Sequence, residues 1–277
     1  MQETMTRPIP RWRMITFGVL LVLLLVLYLG DRPQQLTYLV TAFGDLSGGP
    51  GATHEMHWFV QGVLAWVIVA AIAAQLRRPV ARIGAAWVYG LGLVLAFSMV
   101  LALADLPAEV VPIVTAAIVV AALGFAAHPS SWRAKFTSVA PPSRVLFLLV
   151  AFAAVPLVVY ALGQLDIHTS SGSHDEHYAF GHWVVMAAYA LLAPLYGAVA
   201  ALKVSGWRFP LWVSGLMVAA LGIGSLGITA VSQLSALWSL VAITWGVVFI
   251  GIGELEARRQ DVPVGPSTPT RRPSVPS

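Results

Sequence analysis

The chain has 277 residues, 58% of them hydrophobic and only 10% charged, with 16 Lys and Arg against 12 Asp and Glu and no cysteine. An ordinary soluble domain carries roughly 25% charged residues, so this composition and a mean hydropathy of +0.81 predict a polytopic membrane protein. The missing thiols exclude disulfide frameworks, iron–sulfur clusters, CxxC redox centres and thiolate zinc sites, and the net charge of +4 predicts no nucleic-acid partner, because its distribution follows a membrane logic.

Residues 1–13 form a basic arm with Pro8 and Pro10, expected to lie against anionic lipid headgroups. A membrane helix needs roughly 20 mostly apolar residues, and eight stretches qualify, at about 14–30, 57–76, 83–104, 108–127, 144–163, 182–202, 209–229 and 235–253. The run after Arg13 has no small-residue cleavage site behind it and reads as the first membrane helix. The loop at about 31–56 carries Gly44, Gly48, Gly49, Pro50 and Gly51 but lacks the Lys and Ser/Thr of a phosphate loop. Pro112 falls in the first turn of the fourth helix, where proline is tolerated. Pro156 and Pro194 are candidate breaks in the fifth and sixth. A linker at 128–143 separates two halves, 14–127 and 144–256, and the Pro-, Ser- and Arg-rich stretch 257–277 predicts a disordered tail.

Orientation follows from the basic residues. Arg7, Arg11, Arg13, Arg77, Arg78, Arg82, Arg133, Lys135, Arg144, Lys203, Arg208, Arg258, Arg259, Arg271 and Arg272 fall at the N-terminus, in every second loop or at the C-terminus, with Arg32 on the other side. Both termini and the linker are therefore expected in the cytoplasm, in a cytoplasmic (inner) membrane. The opposite face collects Asp31, Asp45, Glu55, Asp105, Glu109, Asp166, Asp175 and Glu176, and such a face attracts cations.

That same face holds the densest polar chemistry. His168, His174, His177 and His182 lie in one segment with Asp166, Asp175 and Glu176, and a shorter version, His54-Glu55-Met56-His57-Trp58, opens the second helix. Imidazole and carboxylate are the ligands of Zn, Fe, Cu and Mn, and imidazole alone can hold haem iron. The plainer reading is a solvated loop that collects polar residues, and for His128 and His168 an interfacial polar tip is the expectation. The spacing of His54 to His57 and of His174 to His177 puts each pair on one helical face, but this is not the His-Glu-x-x-His signature of metalloproteases.

The halves look alike. A shift of 125 superposes His57-Trp58 on His182-Trp183, Trp87 on Trp212 and Gly90 on Gly215, and brings Arg78 to Lys203 at the same turn. An internal four-plus-four repeat predicts parallel halves about an axis along the membrane normal, with the histidine motifs meeting near it.

Two site models follow. In one, His57 and His182 bind a haem iron axially, with His54, His174 and His177 around it. In the other, His54, His57, His174, His177 and His182 hold one or two metal ions, with Glu55, Asp175 and Glu176 as carboxylates for ligation or proton transfer. On Glu55, His57 and His182 the layout resembles haem A synthase, which implies a haem-handling membrane enzyme. The resemblance covers layout and not motifs, since helices four and eight carry no outer-end histidine and Arg follows neither His57 nor His182.

The functional expectation is a metal- or haem-dependent membrane oxidoreductase or metalloenzyme acting on a lipid-soluble or extracytoplasmic small molecule. Its partners would be membrane lipids and that substrate. A cation or solute transporter is the competing class, but carriers place ionisable groups in mid-membrane, and these spans offer mostly uncharged polar residues such as Gln61, Gln75, Tyr89 and Tyr189. A subunit or assembly factor of a larger membrane complex is the third class.

Overall fold

A computed structural model describes residues 9–30, 36–41, 52–170, 176–230 and 232–261. Among them the architecture is all-helical, with a single isolated bridge between Ser138 and Val204. The helices are α1 (Arg11–Leu29), α2 (Tyr38–Thr41), α3 (Ala52–Arg77), α4 (Ile83–Leu103), α5 (Val111–Ala126), α6 (Arg144–Ser170), α7 (Glu176–Ala179), α8 (His182–Ala201), α9 (Arg208–Gly227) and α10 (Ala236–Asp261). Helix is the form that satisfies every backbone group within one segment, which hydrocarbon demands. Seven are long and apolar enough to cross a membrane, giving a multi-pass membrane protein. The eighth apolar helix, α5, has only 16 residues. Pro112 near its start supplies no backbone N–H to an earlier turn, and the chain from Ala104 to Val110 stays outside the helix.

The expected breaks at Pro156 and Pro194 do not occur, since α6 and α8 run through them. One proline removes one ladder bond, and neighbouring turns bridge the loss. Helix α6 also extends past the expected end near 163 to Ser170. Its last turns are packed against the protein, with Gln164 and His168 buried.

Helices α3, α4, α8 and α9 form the centre, with α4 packed on α8 and α3 on α9. One flank is α1 and α5, the other α6 and α10. The flanking helices leave apolar side chains uncovered, Leu148 at 71% and Val155 at 67% exposed, as expected of faces that meet acyl chains. Inside, tyrosine hydroxyls tie helices together: Tyr196 donates to the Val88 carbonyl at 2.9 Å and Tyr189 to that of Met217 at 2.8 Å. The α3–α4 and α8–α9 turns touch as well. The Gly84 N–H donates to Ser205 O at 2.8 Å, and a side chain at Gly84 would place its Cβ 2.6 Å from the Gly206 oxygen.

The basic residues of these turns and of the α5–α6 connection gather at one end of the bundle, joined by direct contacts. Arg13 donates to the His128 carbonyl. The backbone N–H of Ser130 donates to His128 Nδ1 at 3.1 Å, which leaves Nε2 carrying the proton that it donates to Gln75 Oε1 at 3.0 Å. The Gln75 amide nitrogen donates in turn to the Arg82 carbonyl. Lys135 donates to the Phe125 and Ala126 carbonyls, the last of α5, and sits 4.7 Å from the Phe125 and Trp132 rings. Lys203 pairs with Glu256 at 2.7 Å, and Glu256 also accepts from Ser143.

His128 is therefore no interfacial tip: it is wholly buried. Burial, then the charges of Lys135 and Arg13, lowers its pKa from 6.5 to about 4. Burial first and Arg13 second bring Lys135 down to about 8.

Candidate functional site

The histidine motifs lie at the opposite end. Helix α3 begins at Ala52, so His57 sits in its second turn. Helix α8 begins at His182, directly after Gly181, whose φ of 63° turns the chain out of the short α7. Gly181 N–H closes that turn on the Tyr178 carbonyl at 3.0 Å. Only glycine fits there, because φ is positive and an added Cβ would lie 2.7 Å from that of Ala104.

These two helix starts bring His57 and His182 together, with ring centroids 5.3 Å apart. His57 is 1% exposed and packs edge-on to Trp183 at 4.4 Å. His182 is half-buried and lies 6.1 Å from the Phe180 ring. Glu55, two residues before His57, is buried. His168 stands apart as a tertiary clasp: its Nε2 bonds the Leu103 carbonyl at 2.9 Å, and its ring stacks on Tyr178 at 4.5 Å. It is therefore buried, not the interfacial tip expected. His174 and Asp175, and the side chains of His54, Glu176 and His177, lie outside the described residues.

The pair can be tested against the two site models. An ion bound by imidazole at roughly 2.1 Å sits about 3.2 Å from the ring centroid, so two ligands at a tetrahedral angle have centroids about 5.2 Å apart. The observed 5.3 Å is close to that separation and is also an ordinary distance for packed rings. Axial ligation of one haem iron from both sides needs about 6.4 Å on the same bond lengths, about 1 Å more than the pair shows. Among the described residues no group of three or more His, Asp or Glu is gathered for a metal, and the two candidate ligands whose side chains are described, His57 and His182, lie together.

Beside the pair is a cavity of about 140 Å³ between α1, α3, α4, α5 and the start of α8. Its walls are apolar, with Leu64, Ala96, Phe97, Val114 and Ala117 among them, and three polar side chains line it: Tyr28, Gln61 and His182. Neither the Tyr28 hydroxyl nor the Gln61 carboxamide hydrogen-bonds to any described residue. Neither is among the candidate ligands expected from the sequence. Gln61 had a usable signal, since it is four residues after His57 and so on the same face of α3. Tyr28 had a weaker one, as a polar group in the last turn of an otherwise apolar helix.

A second, larger hollow of about 480 Å³ opens in the other half, lined by Pro156, Tyr160, Leu221, Ser235, Trp238 and Ala242 among others. Two of its polar groups are held by the fold: Tyr160 donates to the Ser232 carbonyl at 2.7 Å, and the Gln233 side-chain oxygen accepts from the Ala230 N–H.

Compared with known proteins, the chain matches no family model, no curated protein and no solved structure. The likeness to haem A synthase thus stays one of layout.

Proposed function

We propose that this protein is an outward-facing membrane enzyme, an oxidoreductase or related metalloenzyme, in which His57 and His182 hold one transition-metal ion (Zn, Fe or Cu) and the substrate is a lipid-soluble small molecule. The observation that carries the reading is the 5.3 Å separation of two imidazoles brought together from positions 57 and 182. A catalytic ion keeps a coordination position open for water or substrate, so at most one or two of the further histidines join His57 and His182 on it. Glu55 supplies the nearest described carboxylate in sequence. Asp175 and Glu176 take the same proton-handling role from the α6–α8 connection, and His54, His174 and His177 are the further ligands. Transport by alternating access has less support, because the buried cations Lys135 and Lys203 sit at the basic end, away from mid-membrane.

The architecture that goes with this reading has eight spans in two four-helix halves, with both termini cytoplasmic and the histidine end outside. Support comes from pairs related by 125 positions that meet in space, His57 with His182 and Val80 with Ser205, whose hydroxyl reaches the Val80 carbonyl. Residues equivalent under one operation touch each other only near its axis, and these two contacts lie at opposite ends of the bundle. The two hollows repeat the relation: Ala96, Val110, Ile113 and Ala117 line the first, and Leu221, Ser235, Trp238 and Ala242, each 125 later, line the second.

Metal analysis and optical spectroscopy of the purified protein test the function. One bound ion per chain, lost in His57→Ala with His182→Ala and kept in His128→Ala, is the expected result. A Soret band, or an ion retained by the double variant, sinks the reading. Fusions of a reporter active only in the cytoplasm test the orientation, with activity expected after Arg78, Lys135 or Lys203 and silence after Ser47 or Ser171.

A further inference from the structure

The cavity beside His182 has a size, a polarity and a mouth, and each narrows what it can hold. A dry apolar cavity of about 150 Å³ takes a benzene ring, and this one measures about 140 Å³. Tyr28, Phe97 and Phe180 supply aromatic walls. An apolar ring alone would leave the Gln61 carboxamide and the Tyr28 hydroxyl unbonded in a low-dielectric space, at a cost that no described residue offsets. Both groups can donate, so a ring carrying acceptor oxygens satisfies them. At the α5 wall Ile113 lines the cavity and is 39% exposed, so the wall there is one side chain thick.

We propose that this cavity binds the head group of a lipid-soluble benzoquinone, with the Gln61 carboxamide and the Tyr28 hydroxyl donating to its carbonyl oxygens and the alkyl tail leaving past Ile113. The proposal rests on the histidine end being the working end of the protein and is independent of the metal ion. It names the substrate class of the site: a quinone or its quinol delivered through the membrane. The larger hollow in the other half differs from this site in that its tyrosine, Tyr160, already donates to the Ser232 carbonyl.

The test is saturable binding of radiolabelled decyl-benzoquinone to the full chain in nanodiscs, with empty nanodiscs subtracted and decylbenzene as competitor. One site per chain is expected, with decylbenzene competing at least tenfold more weakly. On the worth of one hydrogen bond to a neutral acceptor, Gln61→Leu should weaken binding about tenfold and Tyr28→Phe about fivefold. Ala117→Phe, which fills the cavity, should abolish it, and Trp238→Ala in the other hollow should leave it unchanged. Equal competition by decylbenzene, no saturable binding, or unaltered affinity in both Gln61→Leu and Tyr28→Phe overturns the proposal. Chelated protein separates this from the metal reading: quinone binding that survives in a protein that never holds an ion removes the metal alone, whereas a retained ion without quinone binding removes the pocket alone.

Discussion

Gln61 and Gln75 sit on the same helix, α3, and have opposite environments. Gln75 is wholly buried at the basic end, its oxygen accepting from His128 and its nitrogen donating to the Arg82 carbonyl. Gln61, near the other end, borders a cavity and bonds to no described residue. A buried amide with both ends bonded belongs to the fold, and an amide left at a cavity wall has its complement elsewhere. The same contrast holds for Tyr160, bonded to the Ser232 carbonyl, and Tyr28. Residue type and membrane context are shared within each pair, so partner satisfaction, not polarity, separates its two members.

The sharpest way to break this contrast is with acid. His128 stays neutral in the fold down to about pH 4, whereas in the unfolded chain it takes up a proton near 6.5. Its folded pKa is depressed, so the fold is unaffected above pH 6.5 and loses stability as pH falls from 6.5 towards 4, by about 1.4 kcal/mol per unit. The melting temperature in detergent should fall across that window, and His128→Gln should flatten the fall. A fall of equal size in that variant would locate the acid sensitivity elsewhere.

Next in size is Gln75→Leu. It leaves the His128 Nε2 proton and the Arg82 carbonyl without their partner in a buried setting, and should cost about 2 kcal/mol of stability. Gln61→Leu on the same helix should cost nothing measurable or stabilise slightly. Comparable melting points for the two variants would erase the distinction between the ends.

The smallest effect is expected from the tyrosines. Tyr160→Phe strips the Ser232 carbonyl of its donor, at about 1 kcal/mol, while Tyr28→Phe should leave thermal stability unchanged. Equal losses would show that Tyr28, too, serves the fold.

The sequence by itself determined the membrane class and the approximate helices, because the length of an apolar run and the placement of charge are local properties that the bilayer reads directly. Even there local signals had limits. They left Pro156 and Pro194 as candidate breaks, which the helices absorb, and ended the fifth helix near 163, short of the buried Gln164 and His168. The sequence also marked His57 and His182 as related positions, through the shift of 125. Only the tertiary structure decided that these two rings come within 5.3 Å, that His128 and His168 are buried clasps, and that Tyr28, Gln61 and His182 line one cavity. These facts depend on which helix faces pack. Hydrophobic patterning cannot specify that in a membrane, where the lipid-facing and the buried faces of a helix are almost equally apolar.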